Sequence, residues 1–389
     1  MKQKILSLII IAIFGFAAKA QTIVDSGDGW SLNSEGLLTV TKNIESVSYT
    51  GQPWSSNKSS VKSVVITEGV TSIGKREFYG HSNLKSVTFS NTVEKIGEDS
   101  FYGCSSIENI TLPSSLTSIG YQSFYNCSGL TSIDIPNSVT SIGTHAFHGC
   151  SRLASVTLPS GIKTIGSNLL SGCKNLTSIV IPEGVTTIGS GAFNGCINLE
   201  SVTLPSSVNT LESAVFSGCC KLESVIIPDG VKSIGASMFS GCSGLKSITI
   251  PSTITSIGEK AFLGCSSLTG TIEIPYGVTS IGNDTFSGCS SLSEIILPNS
   301  ITTIGNNVFR DCASITNFVI PNSVKEIGTY VFDGCSGLKS ITISESIKSI
   351  GSYAFINCSG LTSVTIPVSV ESIGDGAFSG CSSLSEIKL

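Results

Sequence analysis

The residues of this sequence most able to do chemistry are its fourteen cysteines and three histidines. Paired cysteines would make disulfides, and cysteines grouped with histidine would hold a metal ion. Thirteen of them (Cys104, Cys127, Cys150, Cys173, Cys196, Cys219, Cys242, Cys265, Cys289, Cys312, Cys335, Cys358 and Cys381) recur every 23 residues, with one step of 24. Thiols placed once per turn of a stacked array form a straight file with side chains in parallel. A disulfide needs two Cβ atoms converging to about 3.8 Å, and a metal ion needs ligands around it rather than in line. The spacing therefore predicts a column of small buried thiols, without disulfide or metal. His145 and His148 lie close to Cys150 but at positions that vary freely between copies, so they read as surface residues rather than ligands. Glu108, Glu200, Glu223 and Glu294 alternate with Lys85, Lys246 and Lys339, and no Ser-His-Asp set can be assembled with positional logic. No catalytic residue and no cofactor are expected.

The elements that must position these residues are copies of one sentence. Leu130 to Gly149, LTSIDIPNSVTSIGTHAFHG, is repeated with its Ile-Gly glycine at Gly74, Gly97, Gly120, Gly143, Gly166, Gly189, Gly235, Gly258, Gly282, Gly305, Gly328, Gly351 and Gly374. With the copy in which Thr210-Leu211-Glu212 lacks the glycine, that makes fourteen. Fixed-period similarity of this length is the mark of a solenoid, in which each copy is one turn that buries its apolar face only when neighbours stack on it.

Within a turn, Leu245 to Ile250 reads as a strand: Ile248 and Ile250 face one way and Thr249 the other. Pro251 ends it, because proline lacks the donor that a ladder needs. Ile254 to Ile257 is a second extended piece, Gly258 is expected to permit the turn out of it, and Ala261-Phe262 is expected in a single helical or 3₁₀ turn. A phenylalanine column from Phe78 to Phe378 is broken only at Leu170, and these columns make the predicted core. His81 stands where the first cysteine would be, Ser344 replaces one proline, and Gly270 is the extra residue of the 24-residue step, where a bulge is expected.

The pattern L-x-x-I-x-I-P-x-x-V-T-x-I-G-x-x-A-F-x-G-C resembles the 23-residue leucine-rich repeat of BspA-like bacterial surface proteins, the Treponema-type class, over Val61 to Leu389. The fold expected is an α+β repeat solenoid, a leucine-rich-repeat right-handed superhelix of about fourteen 23-residue turns with a parallel β-sheet. The resemblance also implies an exported protein, with members implicated in adhesion to host matrix or to other cells. The segment carrying Trp30 and Pro53-Trp54 is similar to the amino-terminal cap of such arrays.

Residues 1–20 read as a signal peptide: Lys2 and Lys4, the apolar run Ile5 to Phe16, then Ala18-Lys19-Ala20 as a cleavage site after Ala20. The run is too short to span a bilayer and no longer one follows. Expected organisation is thus signal peptide 1–20, cap 21–60 and solenoid 61–389. The formal charge of −5 becomes −8 without Lys2, Lys4 and Lys19. An acidic chain lacking a Lys/Arg cluster speaks against nucleic acid and against docking on anionic lipid.

Two outward columns are the candidate ligand-binding residues. Tyr79, Tyr102, Tyr125 and His148 form an aromatic file confined to the first four turns. It either offers flat amphipathic faces to a protein or sugar or is a self-stacking ladder left by duplication. On the first strand the outward column is mostly Thr, but Val180, Ile226, Ile296 and Val319 put apolar groups there, and consecutive turns would set Ile296 beside Val319. The function expected is a secreted or cell-surface protein that binds an extracellular protein partner in adhesion, with a glycan-binding accessory role as the alternative.

Overall fold

The computed structural model describes residues 21–44 and 52–389; the expected signal peptide lies outside the described residues. From Val61 onward the chain winds as a β-solenoid of stacked 23-residue coils. Each coil has two short parallel ladders. One holds three-residue strands such as Ser224–Ile226 and Ser247–Thr249, paired Ser224 to Ser247 and Ile226 to Thr249. The other holds two-residue strands such as Ser233–Ile234 and Ser256–Ile257. In both, amides point back along the array: Lys246 donates to the Glu223 carbonyl (3.0 Å) and Gly258 to Ile234 (2.8 Å).

The third side of the coil corrects two expectations. There is no helical turn at Ala261-Phe262, and the α component of the expected fold is missing: among the described residues the only helical piece is the 3₁₀ turn Ser55–Asn57. A helix needs amides bonded along its own axis. Here Lys260 (φ 58°) and Gly264 (φ 72°) are left-handed, which turns alternate peptide planes sideways. Lys260, Phe262 and Gly264 therefore donate to Asn283 (3.0 Å), Thr285 (2.9 Å) and Ser287 (2.7 Å) of the next coil. The second correction is Gly258, whose φ is ordinary. A Cβ there would stand 2.5 Å from the Ala236 nitrogen, so the glycine is required by the close approach of two coils rather than by the turn.

Apolar columns fill the interior without interruption from Leu32 to Ile366. Phe rings stack coil on coil, Phe78 on Phe101 at 5.1 Å and Phe101 on Phe124 at 5.2 Å. The file thiols are free. Each donates to the Phe-column carbonyl of the preceding coil, as Cys104 does to Phe78 (3.1 Å) and Cys242 to Phe216 (3.0 Å). Burial pushes the Cys104 thiol up to about 12, which suits it to packing and not to nucleophilic work. The extra residue Gly270 is left-handed (φ 79°), and its carbonyl accepts from both Ser293 (3.3 Å) and Glu294 (3.2 Å).

At the N-terminal end, β1 (Ile23–Gly27), β2 (Trp30–Asn33) and β3 (Leu37–Val40) form an antiparallel meander. β3 pairs in parallel with β4 (Ser63–Ile66), extending the first ladder. Trp54 sits on Phe78 as one more rung of the Phe stack (5.8 Å, 17° between planes). Its indole N–H donates to the Glu77 carbonyl (3.3 Å), and the Gln52 amide donates to Lys75 (3.4 Å). Those carbonyls are the counterparts of Thr285 and Asn283, so two side chains do what a preceding coil's backbone does elsewhere.

Candidate binding surfaces

The aromatic file stands on the third side of the coils. Tyr79, Tyr102, Tyr125 and His148 stack ring on ring at 4.7, 4.7 and 4.5 Å, within 14° of parallel. Inter-coil spacing is close to a stacking distance, so identical rings must stack. The flat faces expected for a ligand are consequently spent on one another, and what remains outward is a row of ring edges. The Lys58 ammonium covers the outer end at 5.4 Å from the Tyr79 centroid. Tyr121 and His145 continue the cluster, each ring centroid of the Tyr121–His145 and His145–His148 pairs being 5.8 Å from its neighbour. Burial, then His145, lowers the His148 pKa, and burial lowers that of His145. Both are half-buried rather than freely exposed. Cys150 lies beneath them and donates inward to Phe124 (3.2 Å), and among the described residues no group of three metal-ligating side chains is assembled.

The apolar positions of the three-residue ladder do face outward: Val180 is 78% exposed, Ile226 85%, Ile296 45% and Val319 67%. Ile296 pairs with Glu273 on one side, and Val319 occupies the equivalent position in the coil on the other. Val180 and Ile226 are separated by the coil of Thr203, so the four make two places rather than one stripe. The Lys246–Glu223 ion pair (2.7 Å), its side chains 63% and 59% exposed, adds little.

Two features add to the sequence reading, in which His81 is only the residue that replaces the first file cysteine. Glu77 and His81, almost fully buried, stand in the first coil where later coils carry mostly small or apolar residues and the file cysteine. Glu77 Oε1 and both His81 ring nitrogens lack a hydrogen-bond partner. Burial, outweighing the Gly74 amide that Oε2 accepts, raises the Glu77 carboxyl to about 8; burial lowers His81 to about 4. The other feature is a fault. β5 (Ser72–Ile73) pairs normally, but β6 (Ser86–Thr88) has no strand after it: residues 109–111 keep only a single bridge, Asn109 to Ser132. Every other described coil forms this strand. Phe89, half-buried, is the one aromatic in a core column otherwise of Ile and Leu, and its ring wedges edge-on against Phe101 (6.2 Å). Two shallow clefts flank the fault. One, of about 400 Å³, is lined by Asn109, Thr111, Ser132 and Asp134 over Ile110 and Ile133. The other, of about 330 Å³, is lined by Thr88, Phe89, Asn91, Thr111 and Leu112. Phe89 and Ser90, in place of Ile/Leu and Pro, were the signals available in the letters.

Comparison with curated proteins finds no match. Among solved structures the chain is similar to a leucine-rich repeat protein from Bacteroides ovatus ATCC 8483, with 29% identity over 96% of this chain and 94% of that one and a TM-score of 0.70. It is also similar to a leucine rich cell surface protein from Faecalibacterium prausnitzii A2-165, with 29% identity, 95% of each chain covered and a TM-score of 0.53. The BspA type leucine rich repeat region matches residues 55–177, 163–271 and 269–385. With the coil, its columns and its ladders matched over most of its length, this chain belongs to the BspA type leucine-rich repeat family, which includes bacterial cell-surface proteins.

Proposed function

We propose that the protein is an exported, surface-associated recognition protein that binds protein partners, in adhesion to host matrix or to other cells, through the outward face of its three-residue ladder. In this reading residues 1–20 direct export with cleavage after Ala20, residues 21–60 cap the array and residues 61–389 carry the binding surface. The observation that carries it is the exposure of Val180, Ile226, Ile296 and Val319 in an outward column that is otherwise mostly Thr. Apolar groups held out in solvent by a ladder that cannot fold over them are available to a partner. The edges of Tyr79, Tyr102 and Tyr125 are a second contact candidate, amphipathic and rigid.

The test is capture of immobilised matrix proteins and mucins by the purified chain. Val180, Ile226, Ile296 and Val319 are changed together to Thr, the residue their column tolerates in seven other coils; Tyr79, Tyr102 and Tyr125 are changed together to Ser. Loss of capture in the first variant supports the ladder face. Capture unchanged in both variants removes both columns from the site.

A further inference from the structure

We propose that the fault between β6 and residues 109–112 is a saccharide-binding cleft for a short neutral oligosaccharide. It lies on the same ladder face, two coils before Val180, but does not rest on the protein-binding reading. The repeat makes the irregularity informative. Phe89 is larger than the Ile and Leu of its column, and in the coil after it residues 109–111 form no strand, although every other described coil forms one there. The lining then departs from the repeat in the polar direction at the same place. Asn109 stands where neighbouring coils carry Ser86, Ser132 and Ser155, and Asp134 where they carry Thr88, Thr111 and Thr157.

The chemistry of the lining selects the ligand. Asn109 Oδ1 accepts from Thr131 (3.1 Å) and one Asp134 oxygen accepts from Thr157 (2.6 Å). The Asn109 amide hydrogens and the other carboxylate oxygen have no partner among the described residues, and the hydroxyls of Thr111 and Ser132 stand between them. The Asn109 amide hydrogens as donors and the free Asp134 oxygen as acceptor, with the Thr111 and Ser132 hydroxyls, suit the hydroxyl rim of a pyranose. The second cleft shares Thr111 and Leu112 with the first and adds the Phe89 ring, an aromatic surface for a second sugar. Asp134, with no cation among the lining residues of either cleft, disfavours anionic sugars. Two adjoining hollows one coil apart fit a disaccharide.

The experiment is a printed panel of neutral mono- and disaccharides, with uronic and sialic acid members, probed with the full chain and followed by titration calorimetry on any sugar retained. Three variants are compared: N109S with D134T, F89I, and Tyr79, Tyr102 and Tyr125 changed together to Ser. The first two install residues that their own columns use, so folding is kept, and F89I is expected to raise the thermal midpoint while amide exchange slows at residues 109–112. The inference expects a neutral disaccharide to bind, affinity to fall at least about tenfold in each of the first two variants, and the tyrosine variant to bind as the parent does. A panel without a neutral binder overturns it. So does binding that survives F89I once exchange shows the ladder closed, binding lost only in the tyrosine variant, or preference for the anionic members. None of these outcomes bears on capture of proteins by the apolar face.

Discussion

Glu77 allows a pH experiment with a worked magnitude. Its carboxyl is raised from 4.5 to about 8, so the folded chain holds a proton that the unfolded chain releases. Stability from the neutral form is complete below pH 4.5 and is lost as pH rises through 8. His81 is lowered from 6.5 to about 4, so its contribution is complete above 6.5 and is lost as pH falls through 4. Between pH 4.5 and 6.5 the two slopes oppose and cancel. Above 6.5 only Glu77 still changes, and over the 1.5 pH units to 8, at 1.36 kcal/mol per unit, the loss is about 2 kcal/mol. The only two tryptophans of the chain, Trp30 and Trp54, are buried at this joint and touch each other at 5.7 Å. Their emission therefore reports the joint alone. Urea unfolding followed by tryptophan emission at pH 6.5 and 8.0 should show the midpoint falling in the parent. In E77Q the fall should vanish, while the Arg76–Asp99 and Lys75–Glu98 ion pairs beside it remain. A parent midpoint equal at both values, or a fall of the same size in E77Q, refutes the reasoning.

Gly258→Ala should cost about 1–3 kcal/mol by overpacking one coil on the next, read as a lower thermal midpoint. Gly264→Ala, which keeps the space but must adopt φ 72°, should cost about 1–2 kcal/mol, and substituting Asn there should recover part of that. Phe262→Ala removes a fully buried rung and should cost about 3–5 kcal/mol, with amide exchange quickened first in the coils on either side. Cys220, the one exposed thiol, should react fastest with an aromatic disulfide reagent in the native chain, ahead of the half-buried Cys381; C220S should abolish the fastest phase.

How much was legible follows from what a repeat averages over. Column identity is stated fourteen times, so the Phe, Leu/Ile and Cys columns, their burial and the parallel ladders could be read from the letters. The path of the backbone between columns could not. Position 260 and its equivalents are all left-handed, and although Asp99, Asn168, Gly191, Asp284, Asn307 and Gly376 favour that conformation, Arg76, Ala214, Lys260 and Tyr330 do not. It is imposed by the need to send amides sideways into the next coil, a tertiary demand that overrides propensity. The aromatic file reads two ways in the sequence, as ligand faces or as a self-stacking ladder, and the structure shows the stacking. Its residues were identified as outward, yet the 4.7 Å spacing that makes a file also closes its faces.

In a protein whose every coil repeats the last, structural specification and functional information occupy different letters. A residue shared by the column needs only the packing of its column as explanation. A residue that departs at an energetic cost needs another. Glu77 leaves a buried oxygen unpartnered, His81 leaves two nitrogens so, and Phe89 precedes the one described coil that forms no strand, at 109–111. Ala, Cys and Ile were available to each of these positions, as the neighbouring coils demonstrate. Stability alone would select them, since an array gains from every interface its coils share. That all three departures fall within the first two coils, beside the aromatic cluster and the clefts, makes the N-terminal end the place where this array has given up regularity. F89I separates the two explanations: if regularity is regained and binding to every ligand tested is kept, the departure was drift, and if stability rises while one ligand is lost, that ligand is what the fault was kept for.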